Sequence, residues 1–125
     1  MREIRFRIWD TKTKRYLEKG HPDFVNAWGF EDCKNRLALK AKSGSLIFEQ
    51  YTGFKDQNGV DIYEGDIIWL FGIHLEVIWS QDEGKFDIRN KDFRAGAFIF
   101  DKHTVQHIEV IGNIHENPEL LEAKL

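Results

Sequence analysis

The sequence predicts a mainly β fold, a small barrel or meander opened by an N-terminal β-hairpin and closed by a short C-terminal helix. Three observations carry that expectation. Apolar residues alternate with polar ones at the start, where Ile4, Phe6 and Ile8 oppose Glu3, Arg5, Arg7 and Trp9. Short runs rich in β-branched and aromatic residues recur along the chain, and clusters of Gly, Asn, Asp and Ser separate them. At 125 residues, the length suits a single domain, residues 1–125, with one core and no linker.

Taken in order, residues 4–9 form the first strand, Asp10-Thr11-Lys12-Thr13 its turn, and residues 14–18 a returning strand. Gly20-His21-Pro22-Asp23 breaks regular structure, residues 24–30 read as strand or extended loop, and Leu37, Leu39 and Ala41 alternate as a strand would. After Ser43-Gly44-Ser45, residues 46–51 lead into a double reversal. Asn58-Gly59 suits a two-residue type I′ turn pairing residues 53–56 with 60–63, and Glu64-Gly65-Asp66 turns the chain again. Gly65 accepts a left-handed backbone there, and the Asp66 carboxylate can take nearby backbone N–H groups. A meander of three strands follows, over residues 67–71, 74–79 and 85–89. Residues 97–100 read as a short strand, and 106–114 as a longer one with Ile108, Val110 and Gly112 on one side. Asn117-Pro118-Glu119 marks a helix start, with Leu120, Leu121 or Leu125 docking it on the body. Trp28, Trp69 and Trp79 are expected to fill core.

The charge balance limits the function classes. A net charge of −3 and a pI near 5.9 argue against a protein that coats nucleic acid nonspecifically. The charge is nonetheless uneven. Arg2, Arg5, Arg7, Lys12, Lys14, Arg15 and Lys19 make the first stretch basic, whereas Glu49, Asp56, Asp61, Glu64 and Asp66 make the middle acidic. A basic arm on an acidic body could favour head-to-tail self-association, but solvated strand faces in a slightly acidic protein are the preferred reading of this split. Cys33 is the only cysteine, so no intramolecular disulfide forms and a reducing cytoplasm is the expected compartment. No apolar run reaches the ~20 residues that span a bilayer, and the first residues lack a signal peptide's apolar segment, so no membrane partner is expected.

Few residues invite chemistry. The carboxylates between positions 56 and 66 miss the EF-hand register, since a loop with Gly59 sixth would begin at Phe54 and end at Gly65. They read as turn formers. His103 and His107 would share a face only on an α-helix, and no cysteine cluster joins them, so no metal site is assigned. Cys33 has no placed histidine, and no phosphate-binding glycine motif is present. No catalytic or cofactor-binding residue is assigned, and the protein is expected not to be an enzyme. The one specific candidate is a nucleic-acid surface built from Arg5, Arg7, Trp9, Lys12, Lys14 and Arg15, with Trp9 as the stacking platform.

Three stretches, REIRFRIWDTKTKRY, QYTGFKDQNGVDIYEGDII and VIGNIHENPELL, lie at the start, middle and end of the chain. Together they resemble the YopX family of small phage and prophage proteins. The resemblance implies an SH3-like barrel, expression in the cytoplasm of a bacterial host, and a tendency to oligomerise. It implies no activity, and supplies no catalytic role for Tyr51, Asp56, Tyr63 or Asp66. The expected function is a homo-oligomeric interaction module with a phage or host protein as a further partner. The alternative is an accessory nucleic-acid-binding protein using the basic N-terminal strand.

Overall fold

A computed structural model of the chain describes residues 5–17 and 46–122. The expectations for Ile4, for residues 18–45 with Cys33 and Trp28, and for Leu125 lie outside them. The chain divides between Gln50 and Tyr51 into two compact units, each taken by itself below.

In the first unit, β1 (Phe6–Asp10) pairs antiparallel with β2 (Arg15–Tyr16) and with the first half of β3 (Leu46–Lys55). The hairpin turns where the Asp10 carboxylate accepts the Lys12 N–H at 2.9 Å and Lys14 adopts a left-handed φ of 57°. Ile8 and Leu46 are buried, with Leu17 and Phe48 against them. The expected alternation is only half right. Phe6 is 37% exposed while Trp9 is 6% exposed, because Trp9 sits edge-on to Tyr16 with ring centroids 4.9 Å apart.

In the second unit, the latter half of β3 pairs with β4 (Asp61–Tyr63), from Tyr51↔Tyr63 to Lys55↔Asp61, with a register irregularity between. β5 (Asp66–Leu70), β6 (Ile73–Ser80), β7 (Lys85–Arg89) and β8 (Ile108–Asn113) form an antiparallel sheet in the order β7-β6-β5-β8. The meander is therefore as expected. Ile68, Leu70, Leu75, Val77, Ile88 and Ile108 point to one buried cluster with Ile62 and Val105. Each such fully buried aliphatic side chain is worth about 1.5–3 kcal/mol against exposure.

The double reversal is present, with a different first turn. Only Lys14 and Phe71 among described non-glycine residues have positive φ, so Asn58 is not in a type I′ turn. Instead Gly59 N–H bonds the Asp56 carbonyl at 3.0 Å and Gly59 alone is left-handed, at φ 82°. That is a three-residue loop of type I followed by a bulge. The cause is Asp56, whose Oδ1 accepts the N–H groups of Asn58 and Val60 at 2.8 and 2.9 Å. Gly65 is left-handed as expected, at φ 87°, and Asp66 Oδ2 accepts the Tyr63 N–H at 2.7 Å.

Three further expectations are corrected. Residues 97–100 form no strand; Phe98 and Phe100 turn to the core, with Phe100 edge-on to Phe54 at 5.5 Å, while no neighbouring strand completes a ladder. β8 begins only at Ile108, after a 3-10 turn over Thr104–His107, and Ile111 is an extra residue opposite Ile67 and Ile68. The C-terminal helix start is a single 3-10 turn, Pro118–Leu121. Asn117 makes no side-chain cap bond; its Oδ1 turns back to the Asn113 N–H at 3.3 Å, so the α-helical nucleus gains no cap. Among the described residues no helix is long and apolar enough to cross a membrane.

Candidate functional site

The basic strand is built around Glu49, which is 3% exposed on β3 opposite Arg7. Its Oε1 accepts both Arg7 Nε and the Tyr16 hydroxyl at 2.8 Å, and the Arg7 guanidinium lies 4.5 Å from the Tyr16 ring centroid. Arg7 is thus committed to a partly buried ion pair, and removing its partner would strand a charge. Arg5 is half-buried. Trp9, the expected stacking platform, presents almost no surface. What remains exposed is the hairpin tip, with Lys12, Lys14 and Arg15. The six residues therefore separate into a half-buried Arg5, an Arg7 and Trp9 that pack with Tyr16, and three solvated cations.

The second unit carries exposed aromatics that the sequence assigned to core. Trp69 is 37% exposed because it alternates away from Ile68 and Leu70, whereas Trp79, on the same strand face as Val77, is 40% exposed next to the last residue of β6. Trp79 covers Phe86 edge-on at 5.0 Å. Phe71 is 65% exposed and sits with Gly72 in the two-residue loop between Leu70 and Ile73. Both have positive φ, 49° and 83°, so this is a type I′ hairpin turn. A bulky residue there is backbone-strained. Phe71 leans on the His107 ring, 5.2 Å away.

A groove of about 600 Å³ lies between residues 89–95 and the last 3-10 turn, lined by Glu76, Arg89, Asn90, Lys91, Arg94 and Leu121 among others. Asn90 shapes its wall. Its side-chain amide donates to the His74 carbonyl at 2.9 Å, and its Oδ1 accepts the Asp92 and Phe93 N–H groups. His74 Nδ1 in turn donates to the Leu120 carbonyl at 2.9 Å, which pins the 3-10 turn to β6. The sequence treated residues 90–96 only as a polar connection. The alternation of Arg89, Lys91 and Arg94 around Phe93 was the available signal.

The carboxylates of the central motif are occupied by structure. Asp56 and Asp66 hold backbone N–H groups, and Asp61 pairs with Lys55 at 2.8 Å. His103 precedes the 3-10 turn that ends at His107, and three residues per turn put the two rings on different faces. No three His, Cys, Asp or Glu side chains among the described residues converge on a point that would hold a metal ion. Asp87 is buried, and its Oδ2 has no hydrogen-bond partner among the described residues.

The chain is similar to protein EF1440 from Enterococcus faecalis, whose crystal structure aligns with a TM-score of 0.62 over 97% of this chain and 99% of that one, at 26% sequence identity. No curated protein matches it. The model of the YopX protein family matches residues 5–122, so that the hairpin, the double reversal, the meander and the closing 3-10 turn all fall within the match, and the chain belongs to the YopX family.

Proposed function

We propose that the protein is a non-enzymatic interaction module that assembles with copies of itself in the cytoplasm of a bacterium carrying phage or prophage genes. The observation that carries this reading is Phe71, an aromatic ring held 65% exposed on a left-handed backbone at a hairpin tip. Asparagine or glycine would relieve the strain at that position, so the fold gains little from Phe71 beyond its contact with the His107 ring unless the exposed face of the ring meets a partner. Trp69 and Ile99, 37% and 73% exposed in the same unit, add apolar surface of the kind that marks interfaces. An SH3-like barrel fits the short antiparallel strands and the bulge at Ile111, which bends a sheet. A phage or host protein is the further partner this module would take.

Size-exclusion chromatography with light scattering over a range of concentrations tests the reading. The expected result is a concentration-dependent oligomer, which Phe71→Asn shifts toward smaller species without lowering the melting temperature. A strict monomer at all concentrations overturns it.

A second reading, accessory nucleic-acid binding, rests on the exposed tip cations Lys12, Lys14 and Arg15. It predicts oligonucleotide binding that weakens with salt and is lost on reversing those three charges.

A further inference from the structure

The groove beside residues 89–95 has a charge arrangement that neither self-assembly nor the hairpin tip explains. Arg89, Lys91 and Arg94 converge on it against two carboxylates. Both ion pairs are long on the cation's side: Arg89 Nε is 3.9 Å from Glu76, and Lys91 Nζ is 3.8 Å from Glu122. Both separations exceed a charge-assisted hydrogen bond, which closes at about 2.7–2.9 Å. Arg94 has no ion-pair partner among the described residues. In contrast, Arg7 and Lys55 each approach a carboxylate at 2.8 Å, so this chain does close its ion pairs elsewhere.

Three cations with unused donors, on a wall kept in place by Asn90 and His74, can receive an anion with several oxygens. The guanidinium forks of Arg89 and Arg94 match phosphate geometry, and Lys91 supplies a mobile point charge. A volume of about 600 Å³ falls in the range of small-molecule sites and admits one nucleotide. Leu121 and Ala95 add apolar lining, on which a base or sugar can rest.

We infer that the groove lined by Arg89, Lys91, Arg94 and Leu121 binds a nucleoside phosphate, with Glu122 as the internal carboxylate that the ligand displaces from Lys91. The phosphate comes from a free nucleotide or from the backbone of a single strand. The recognising chemistry is the same, and the test separates the sources. This inference stands on the groove alone and is independent of the oligomeric state.

Isothermal titration calorimetry with ATP, with a short oligothymidylate and with polyglutamate, supported by amide NMR shifts, decides it. The expected result is salt-sensitive binding of ATP or of the oligonucleotide, whichever is the source, with shifts at residues 89–95 and 121–122. Arg94→Glu weakens it at least tenfold. Glu122→Gln tightens it severalfold, an effect that a merely structural role for Glu122 does not produce. Arg94 and Glu122 are exposed, so both variants keep the fold, as unchanged amide spectra elsewhere confirm. Absence of binding by both phosphate ligands, binding indifferent to Arg94→Glu, or equal affinity for polyglutamate overturns the inference.

Discussion

Asp56 Oδ2 accepts the backbone N–H of Val110 at 2.9 Å, a bond that spans 54 positions and ties the hairpin loop to β8. Its Oδ1 holds the loop itself, through the N–H groups of Asn58 and Val60. The adjacent Gln57 N–H also reaches the Ile108 carbonyl at 3.0 Å. One carboxylate, 7% exposed, therefore shapes a turn and fastens it to a distant strand.

Asp56→Ala leaves three backbone donors without their acceptor in a poorly solvated place. Each such loss costs roughly 1–3 kcal/mol when water cannot replace it, so the variant is expected to lose about 2–4 kcal/mol. Asp56→Asn, which keeps one acceptor oxygen, loses less. Urea unfolding at neutral pH measures both, and an unshifted midpoint for the alanine variant would contradict this role.

The two four-residue hairpin loops offer a reciprocal exchange. Lys14 N–H bonds the Asp10 carbonyl and Gly84 N–H the Ser80 carbonyl, each at 2.8 Å, with φ of 57° and 65°. A side chain on a left-handed backbone costs about 1–2 kcal/mol, part of which glycine's unfolded-state freedom offsets. Lys14→Gly is thus expected to stabilise by about 0.5–1 kcal/mol, and Gly84→Lys to destabilise by about 1 kcal/mol. Opposite shifts in thermal unfolding are the required outcome.

Gly112 faces Asn117 at close range. A Cβ added there would lie 2.6 Å from Asn117 Oδ1 and 2.9 Å from its Cβ, so the chain after β8 would have to move. Gly112→Ala is expected to cost about 1–3 kcal/mol through overpacking. Adding Asn117→Gly removes the obstructing side chain and recovers most of the loss, which a double-mutant cycle reads as coupling. Purely additive effects would show that the contact is not the cause.

The acid limb of stability should depend on Asp101. The Thr104 N–H, at 3.0 Å, holds its carboxyl below the ordinary value, helped by the His103 N–H and the Thr104 hydroxyl. A folded-state value below the unfolded one contributes stability that is present above the ordinary carboxylate range and fades as pH falls through the folded value. Asp101→Asn is expected to flatten the pH dependence of the melting temperature in that acidic window. An identical acid profile in wild type and variant would exclude this contribution.

Legibility followed the range of the forces involved. The meander was readable because β5 to β7 bury one face against one core, and alternation records that directly in residues such as Leu75, Val77 and Ile88. Left-handed glycine at position 65 was readable because the requirement is local. Asn58-Gly59 misled because a carboxylate two residues upstream set the turn, while a type I′ turn lay at Phe71-Gly72, where the residue type argues against it. The groove escaped notice because Glu76, Arg89, Arg94 and Leu121 come from three separate stretches of the chain.

The sequence by itself determined family membership, the mainly β class and the occupation of the central carboxylates by turns, since these depend on contiguous pattern and backbone geometry. Only the tertiary structure decided that Trp9 is buried, that Trp69 and Phe71 are exposed, and that Arg7 is tied to Glu49 while Arg94 has no such partner among the described residues. Exposure and pairing depend on what a distant strand places opposite a side chain. No local pattern encodes that neighbour.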